Sequence, residues 1–124
     1  MSPQSSPPRR RGLSARLASF RYALAGILAL LAGEVNARIH AVCTAVVLVA
    51  GALCHLSRMQ WVAIIAAIAL VWIAEAANTA VELLCDLFCE GRYHPVVKRI
   101  KDIAAGGVLI AAVCAVVIGL LVFV

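Results

Sequence analysis

The side chains of this sequence that could do chemistry are concentrated in one stretch of a long apolar segment. Three carboxylates and one amide interrupt residues 75–86, which are otherwise almost entirely apolar. An α-helix turns by about 100° per residue, so one narrow face would carry positions 75, 78, 79, 82 and 86. A carboxylate at membrane depth costs a few kcal/mol or more, and such residues usually face a bundle interior and have a function. The stretch therefore predicts a polar site inside a membrane protein.

These residue types suit either phosphoryl transfer or ion conduction. Mg²⁺ typically takes one or two protein carboxylates, while phosphates and water complete its octahedron. A carboxylate in the apolar segment could act as a general base, and nearby Lys and Arg side chains could meet phosphate charge. The same residues could also line a path for a cation or a proton, and spacing alone does not separate the two. The sequence has no G-x-x-x-x-G-K-[ST] loop, which excludes an ordinary P-loop nucleotide fold.

Composition indicates one small all-α membrane domain. The chain has 124 residues, of which 65% are hydrophobic and only 14% charged, whereas ordinary soluble domains are about half apolar. A membrane span needs about 20 apolar residues. We therefore predict three transmembrane helices, over about residues 37–56, 60–88 and 101–124.

The amino-terminal part is predicted to lie outside the spans. Residues 1–12, rich in Ser, Pro and Arg, are expected to be disordered. Residues 13–33 repeat large apolar side chains at helical spacing, but their uninterrupted apolar part, residues 22–33, is too short to span. An amphipathic helix on the membrane surface fits this pattern. A cleaved signal peptide has a similar layout, but cleavage would direct the next segment outward, against the charge pattern.

The distribution of Lys and Arg predicts the orientation in the membrane. Short cytoplasmic loops carry the excess of positive charge. The segment before the first span contains Arg9, Arg10, Arg11, Arg16, Arg21 and Arg38; the loop between the second and third spans contains Arg92, Lys98, Arg99 and Lys101. The other connection has only Arg58. We expect a cytoplasmic N-terminus and an outside C-terminus, with the net charge of +5 attracting anionic lipid headgroups rather than nucleic acid.

Several motifs in order resemble the small bacterial integral-membrane diacylglycerol kinase family, which includes the undecaprenol kinases. The central motif is Glu75-x-x-Asn78-Thr-Ala-Val-Glu82-x-x-x-Asp86, followed by Tyr93-His94-Pro95 and Lys101-Asp102-x-Ala-Ala-Gly. Residues 19–27 and 34–40 match the amino-terminal part of the family. The resemblance covers about residues 18–124. It implies a homotrimer in the bacterial cytoplasmic membrane, each chain with a surface helix and three spans, that transfers the γ-phosphoryl group of ATP to a lipid hydroxyl.

The resemblance also implies a role for each polar position. Glu75 would be the catalytic base, and Glu34 and Glu82 would hold Mg²⁺. Nucleotide contacts would come from Lys101 and Asp102, and further from Tyr22, Arg92, Tyr93 and His94. Asn78 and Asp86 would position or balance charge. The lipid would lie near Asn36, Arg38 and His40.

The acceptor lipid and two rival functions remain to be distinguished. The sequence Arg38-Ile39-His40 is the pattern of the undecaprenol kinase branch, which favours a polyprenol over the alternative acceptor, diacylglycerol. A small oligomeric cation channel or transporter subunit could use Glu75 as an ion ligand, but conduction needs neither the Lys101-Asp102 pair nor the Glu34 motif. A purely structural membrane protein would not be expected to cluster its six acidic residues beside one face.

Overall fold

The computed structural model describes residues 12–124, which form four α-helices joined by short turns. The helices are α1 (Leu13–Gly33), α2 (Val35–Leu53), α3 (Arg58–Cys89) and α4 (Pro95–Phe123). Each of the four is long and apolar enough to cross a membrane, judged by length and composition. The predicted all-α fold with mostly apolar helices is confirmed. The segment predicted to be disordered, residues 1–12, lies outside the described residues except for Gly12.

The ends of α3 and α4 follow from local side-chain chemistry. The Ser57 hydroxyl accepts a hydrogen bond from the Gln60 backbone N–H, and the Gln60 side chain accepts one from the Ser57 N–H, which completes a capping box at the start of α3. Gly91 adopts a φ of 81° just after α3, a conformation that favours glycine. Pro95 occupies the first turn of α4, where no backbone donor is needed. α4 therefore begins ahead of the predicted span 101–124.

The core of the molecule lies between α3 and α4, which make the most extensive helix contact. The buried apolar residues of α3 recur every three or four positions at Ile64, Ala67 and Val71, and Ala111 is buried on α4. Contacts between α2 and α3, and between α1 and α2, are smaller. Continued at the same spacing, the buried face of α3 reaches residues 75 and 78. The polar stretch is therefore an extension of the core face rather than a separate surface.

The α2–α3 turn depends on a close approach at Gly51, which is buried. A Cβ atom added at Gly51 would lie 2.8 Å from the Trp61 ring and 3.0 Å from the Leu56 side chain. Real Cβ atoms do not approach other atoms this closely, so glycine is required for Trp61 to pack against α2. The contact holds the two helices together at the end of the molecule opposite the α3–α4 turn.

Helix α1 packs only lightly on the rest of the chain. Its single buried residue is Leu30, Leu31 is half-buried, and the other large apolar side chains are exposed. The large apolar residues recur on one side of α1, but the opposite side consists mainly of Ala and Gly rather than polar residues. The structure thus has a helix over residues 13–33, with less contrast between its two faces than an amphipathic surface helix is expected to have.

Candidate active site on the third helix

The polar face of α3 changes from buried to exposed along the helix. Glu75 is 1% exposed, and Asn78 and Thr79 are also buried. Glu82 is half-buried, whereas Asp86 is exposed. The eleven residue-to-residue steps from position 75 to position 86 correspond to about 16 Å of helix rise. The face therefore connects a dry position in the core to the solvent-accessible end of α3.

The carboxylate of Glu75 lies beside His40 of α2. The distance from His40 Nε2 to Glu75 Oε2 is 3.5 Å. Within residues 12–124, Oε2 is buried and accepts no hydrogen bond. A buried carboxylate oxygen without a donor is uncommon in folded proteins and is typical of functional sites.

One turn further along, Asn78 contacts Glu82. The Asn78 side-chain amide donates a hydrogen bond of 3.2 Å to Glu82 Oε1. In the described part of the chain, the buried oxygens of Asn78 and Thr79 have no hydrogen-bond partner. The face from Glu75 to Glu82 thus presents several unpaired oxygen acceptors in a row.

A polar pocket of about 470 Å³ lies at the other end of this face, between the end of α3 and the start of α4. It is lined by Asp86, Cys89, Gly91, Arg92, Tyr93, His94, Val97, Lys98 and Lys101. Three of these side chains are cations and one is a carboxylate. The pocket is therefore suited to an anionic ligand.

Two ion pairs set the positions of the lysines at this pocket. Lys101 Nζ lies 2.5 Å from Asp86 Oδ1, and Lys98 Nζ lies 2.6 Å from Asp102 Oδ2. The hydrogen bond to Asp102, together with the charge of that carboxylate, raises the pKa of Lys98 above its usual value. Asp102 is thus paired along α4 with Lys98, whereas the partner of Lys101 is on α3. The adjacent residues Lys101 and Asp102 consequently point to different neighbours.

An apolar groove of about 600 Å³ runs beside Glu75, between the first three helices. Its lining comes from Ile27, Leu30 and Leu31 of α1, from Ala41, Thr44, Ala45 and Leu48 of α2, and from Trp72, Ile73 and Ala76 of α3. Thr44 and Trp72 contribute the only polar atoms of these side chains. Glu75 does not line the groove, but Trp72, which does, packs against His40, the neighbour of the Glu75 carboxylate. A hydrocarbon chain fits such a surface.

Sequence reasoning missed two residues that support the site. Trp72 Nε1 donates a 3.0 Å hydrogen bond to Thr44 Oγ1, and the Thr44 hydroxyl donates a 2.7 Å bond to the His40 carbonyl. Trp72 lies three residues before Glu75, and Thr44 lies four after His40. These spacings put Trp72 on the same helix face as Glu75 and Thr44 on the same face as His40, and this periodicity was the available signal.

Other predicted site residues are not brought to α3 by polar contacts. Glu34 is half-buried at the α1–α2 junction, and Tyr22, Asn36 and Arg38 are exposed. In residues 12–124, none of these four side chains makes an ion pair. The same residues contain no cluster of three or more His, Cys, Asp or Glu side chains that could hold a metal ion. A metal site here would therefore use at most two protein carboxylates.

Comparison with known proteins identifies the relatives of the chain. The family described as prokaryotic diacylglycerol kinase matches residues 21–123. The chain is similar to a diacylglycerol kinase of Synechocystis sp., with 42% identity over 103 residues, covering 83% of this chain and 59% of the relative. It is also similar to an undecaprenol kinase of Bacillus subtilis, with 37% identity over 118 residues and 95% of each chain covered. The chain thus spans about three-fifths of the length of the first relative and nearly all of the second.

Proposed function

Because the chain belongs to the prokaryotic diacylglycerol kinase family, we propose that it is a lipid kinase that transfers the γ-phosphoryl group of ATP to the hydroxyl of a membrane lipid. Undecaprenol is the preferred acceptor in this proposal, and diacylglycerol is the alternative. The observation that carries the proposal is the arrangement along α3: buried Glu75 lies beside an apolar groove, and a cationic pocket lies at the exposed end of the same polar face.

The acceptor lipid would place its chain in the apolar groove and its hydroxyl next to Glu75. Glu75 would accept the hydroxyl proton as the acceptor oxygen forms a bond to the γ-phosphorus. The bond from that phosphorus to the β–γ bridging oxygen breaks, and ADP leaves with the bridging oxygen. Asn36, Arg38 and His40, near the start of α2, would lie close to the lipid head. The burial of Glu75 keeps water from competing for the phosphoryl group.

The nucleotide would occupy the pocket at the α3–α4 turn. Lys101, Arg92, Tyr93 and His94 line it, and the ion pair with Asp86 holds the Lys101 ammonium in place. Asp102 and Tyr22 are further nucleotide contacts implied by the family motifs. An extended triphosphate would run along the polar face of α3 from this pocket toward Glu82.

Mg²⁺ is the cofactor in this proposal, and the residues present fit it. Glu34 and Glu82 offer oxygen ligands, which Mg²⁺ prefers, and two carboxylates suffice when phosphates and water supply the remaining positions. Asn78 donates to one oxygen of Glu82, which leaves the other free for the ion. When bound, Mg²⁺ would neutralise negative charge on the phosphates.

The chain is a multi-pass membrane protein, and we infer that α1 lies on the cytoplasmic surface while α2, α3 and α4 span. Arg16 and Arg21 are near the start of α1, and Arg38 is near the start of α2, which follows α1 directly. If α1 crossed the membrane, these two positively charged ends would lie on opposite sides, against the usual cytoplasmic location of positive charge. The N-terminus is then cytoplasmic and the C-terminus outside.

A homotrimer belongs to the same proposal. The four helices of one chain bury few of their side chains, and α1 in particular is almost wholly exposed. The surface of α4 has small residues at positions 104–107, and an added Cβ at Gly106 or Gly107 would meet nothing within 4 Å. Small residues allow helices from other chains to approach closely.

Phosphate transfer from labelled ATP by the purified protein in mixed micelles tests the function, with undecaprenol and diacylglycerol compared. We expect transfer to undecaprenol to exceed transfer to diacylglycerol, because the relative that this chain matches over 95% of both lengths is named an undecaprenol kinase. Glu75→Gln should reduce transfer by about 10²–10⁴-fold, the usual contribution of a general base. Glu90→Gln, which alters an exposed carboxylate after α3, is the matched control and should retain activity.

Each outcome of this experiment decides one part of the proposal. A preference for diacylglycerol would keep the kinase and overturn the choice of acceptor. Full activity of Glu75→Gln would show that Glu75 is not the general base. No transfer to either lipid by folded protein would overturn the kinase function and favour the ion-conducting alternative.

A further inference from the structure

The contact between α2 and α3 contains two polar connections in adjacent turns. His40 lies 3.5 Å from Glu75, and Thr44, one turn later on α2, accepts a hydrogen bond from Trp72, one turn earlier on α3. The His40 ring also packs edge-on against Trp72, with ring centroids 6.5 Å apart and an angle of 63° between the planes. The imidazole is therefore held between the indole and the buried carboxylate.

The surroundings of His40 restrict its orientation. Its side chain is 20% exposed, whereas that of Glu75 is 1% exposed, so the imidazole lies at the boundary of the buried site. The Thr44 hydroxyl donates to the His40 carbonyl, and through Trp72 this hydroxyl ties the backbone of His40 to α3. A ring held at both its backbone and its face has little freedom to turn away from Glu75.

We propose that His40 is a positioning residue for Glu75: its Nε2–H donates to Oε2 and fixes the carboxylate so that Oε1 faces the acceptor hydroxyl. This inference rests on the proposed function, in which Glu75 is the general base. The present separation of 3.5 Å shortens to a hydrogen bond when the substrates are bound, as catalytic contacts commonly do. His40 then acts through Glu75, in contrast to a residue that only contacts the lipid.

The need of the buried Glu75 carboxylate for a hydrogen-bond donor supports this assignment. Oε2 is a buried acceptor that lacks a donor in residues 12–124, and His40 Nε2 is the nitrogen within reach of it. An ionised carboxylate in an apolar environment is stabilised by one well-placed donor and destabilised when that donor is removed. Without His40, the Glu75 carboxylate would rotate or recruit water into the site.

Three variants distinguish a role of His40 in positioning Glu75 from a role in lipid contact and from a role in packing alone. His40→Met keeps an apolar side chain of similar length but has no N–H donor, whereas His40→Gln retains a side-chain N–H near the position of Nε2. Val42→Ala is the control: it alters an exposed side chain two residues after His40 on α2, and Val42 lines neither the groove nor the polar pocket. Each purified variant is assayed for kcat and for KM of the acceptor lipid, and thermal unfolding verifies that it is folded.

For positioning, we expect kcat of His40→Met to fall by about 10- to 100-fold, the usual effect of a misplaced catalytic group. The KM of the lipid should change by less than about twofold, and His40→Gln should recover most of the lost kcat. Val42→Ala should stay within about threefold of the wild type. A rise in lipid KM with unchanged kcat in His40→Met, or an equal loss in Val42→Ala, would overturn the proposal.

Infrared spectroscopy gives a readout that does not depend on activity. The carboxyl band of Glu75 is identified by its absence in Glu75→Gln. The band should shift in His40→Met, return toward its original position in His40→Gln, and stay unchanged in Val42→Ala. If the band shifts in His40→Met but the wild type transfers no phosphate, the contact between His40 and Glu75 stands and the kinase function is rejected. An unshifted band in His40→Met would reject the positioning role whatever the activity.

Discussion

At the scale of single residues, Lys101 links the polar pocket at the α3–α4 turn to the polar face of α3. It lies on α4, lines the polar pocket, and pairs with Asp86 at the exposed end of the α3 polar face. The pair spans 15 positions in sequence, so it exists only because α3 and α4 pack against each other. A phosphate entering this pocket would meet an ammonium group that is already oriented.

Replacing Lys101 should weaken nucleotide binding. We expect Lys101→Met to raise the KM for ATP about tenfold or more, since a charge-assisted hydrogen bond is worth about 1.5–3 kcal/mol and a tenfold change corresponds to about 1.4 kcal/mol. Steady-state kinetics at saturating lipid measures the change. Arg99→Met is the matched control, because Arg99 is an exposed cation on the same part of α4 that does not line the pocket. Equal losses in both variants would show a general charge effect instead.

At the scale of elements, α3 carries both the core and the site. Its buried face begins with Ile64 and continues through Glu75 and Asn78, and the most extensive contact of α3 is with α4. Packing density on this face consequently controls the environment of the polar residues. The smaller α2–α3 contact brings His40 to Glu75 and Thr44 to Trp72. This contact depends on the close approach of the two helices at Gly51, near the turn.

A larger side chain at Gly51 should destabilise the fold. Gly51→Val places a Cβ atom 2.8 Å from the Trp61 ring, which must move, and overpacking of this kind costs about 1–3 kcal/mol. Thermal unfolding in detergent, followed by circular dichroism, should show a lower Tm. Gly119→Val is the control, because an added Cβ there meets nothing within 4 Å. A Tm for Gly51→Val equal to that of the control would contradict the structural role of this glycine.

For the whole molecule, the arrangement of charge relative to the helices sets the proposed orientation. The turn between α3 and α4, together with the first turns of α4, contains Arg92, Lys98, Arg99 and Lys101. The turn between α2 and α3, together with the first turn of α3, contains Arg58 as its single Lys or Arg residue. With one turn at each end of α3, the cationic pocket would face the cytoplasm, where ATP is available.

Native cysteines allow this orientation to be measured. Cys54 is exposed at the α2–α3 turn, and Cys89 lies at the other end of α3. Single-cysteine variants in membrane vesicles of known orientation are treated with a membrane-impermeant maleimide. Cys54 should react in right-side-out vesicles and Cys89 in inverted ones, whereas Cys114, in the middle of α4, should react in neither. The reverse pattern for Cys54 and Cys89 would invert the proposed topology.

The apolar helices, the polar face of α3 and the family could be predicted from the sequence alone. Hydropathy located the apolar helices, and helical periodicity placed Glu75, Asn78 and Glu82 on one face. Both inferences succeed because they depend on spacing within one helix, which the backbone geometry fixes. The ordered motifs also identified the family, which the comparisons confirm. The roles proposed for the site residues remain predictions for the experiments above.

Only the tertiary structure decided which side chains meet between helices. His40 contacts Glu75, Thr44 bonds to Trp72 across 28 positions, and Lys101 pairs with Asp86 rather than with its sequence neighbour. Such pairs depend on the rotation and offset of one helix against another. These are set by packing of small residues along α3 and α4 and by the approach at Gly51, and no periodicity within a single helix specifies them.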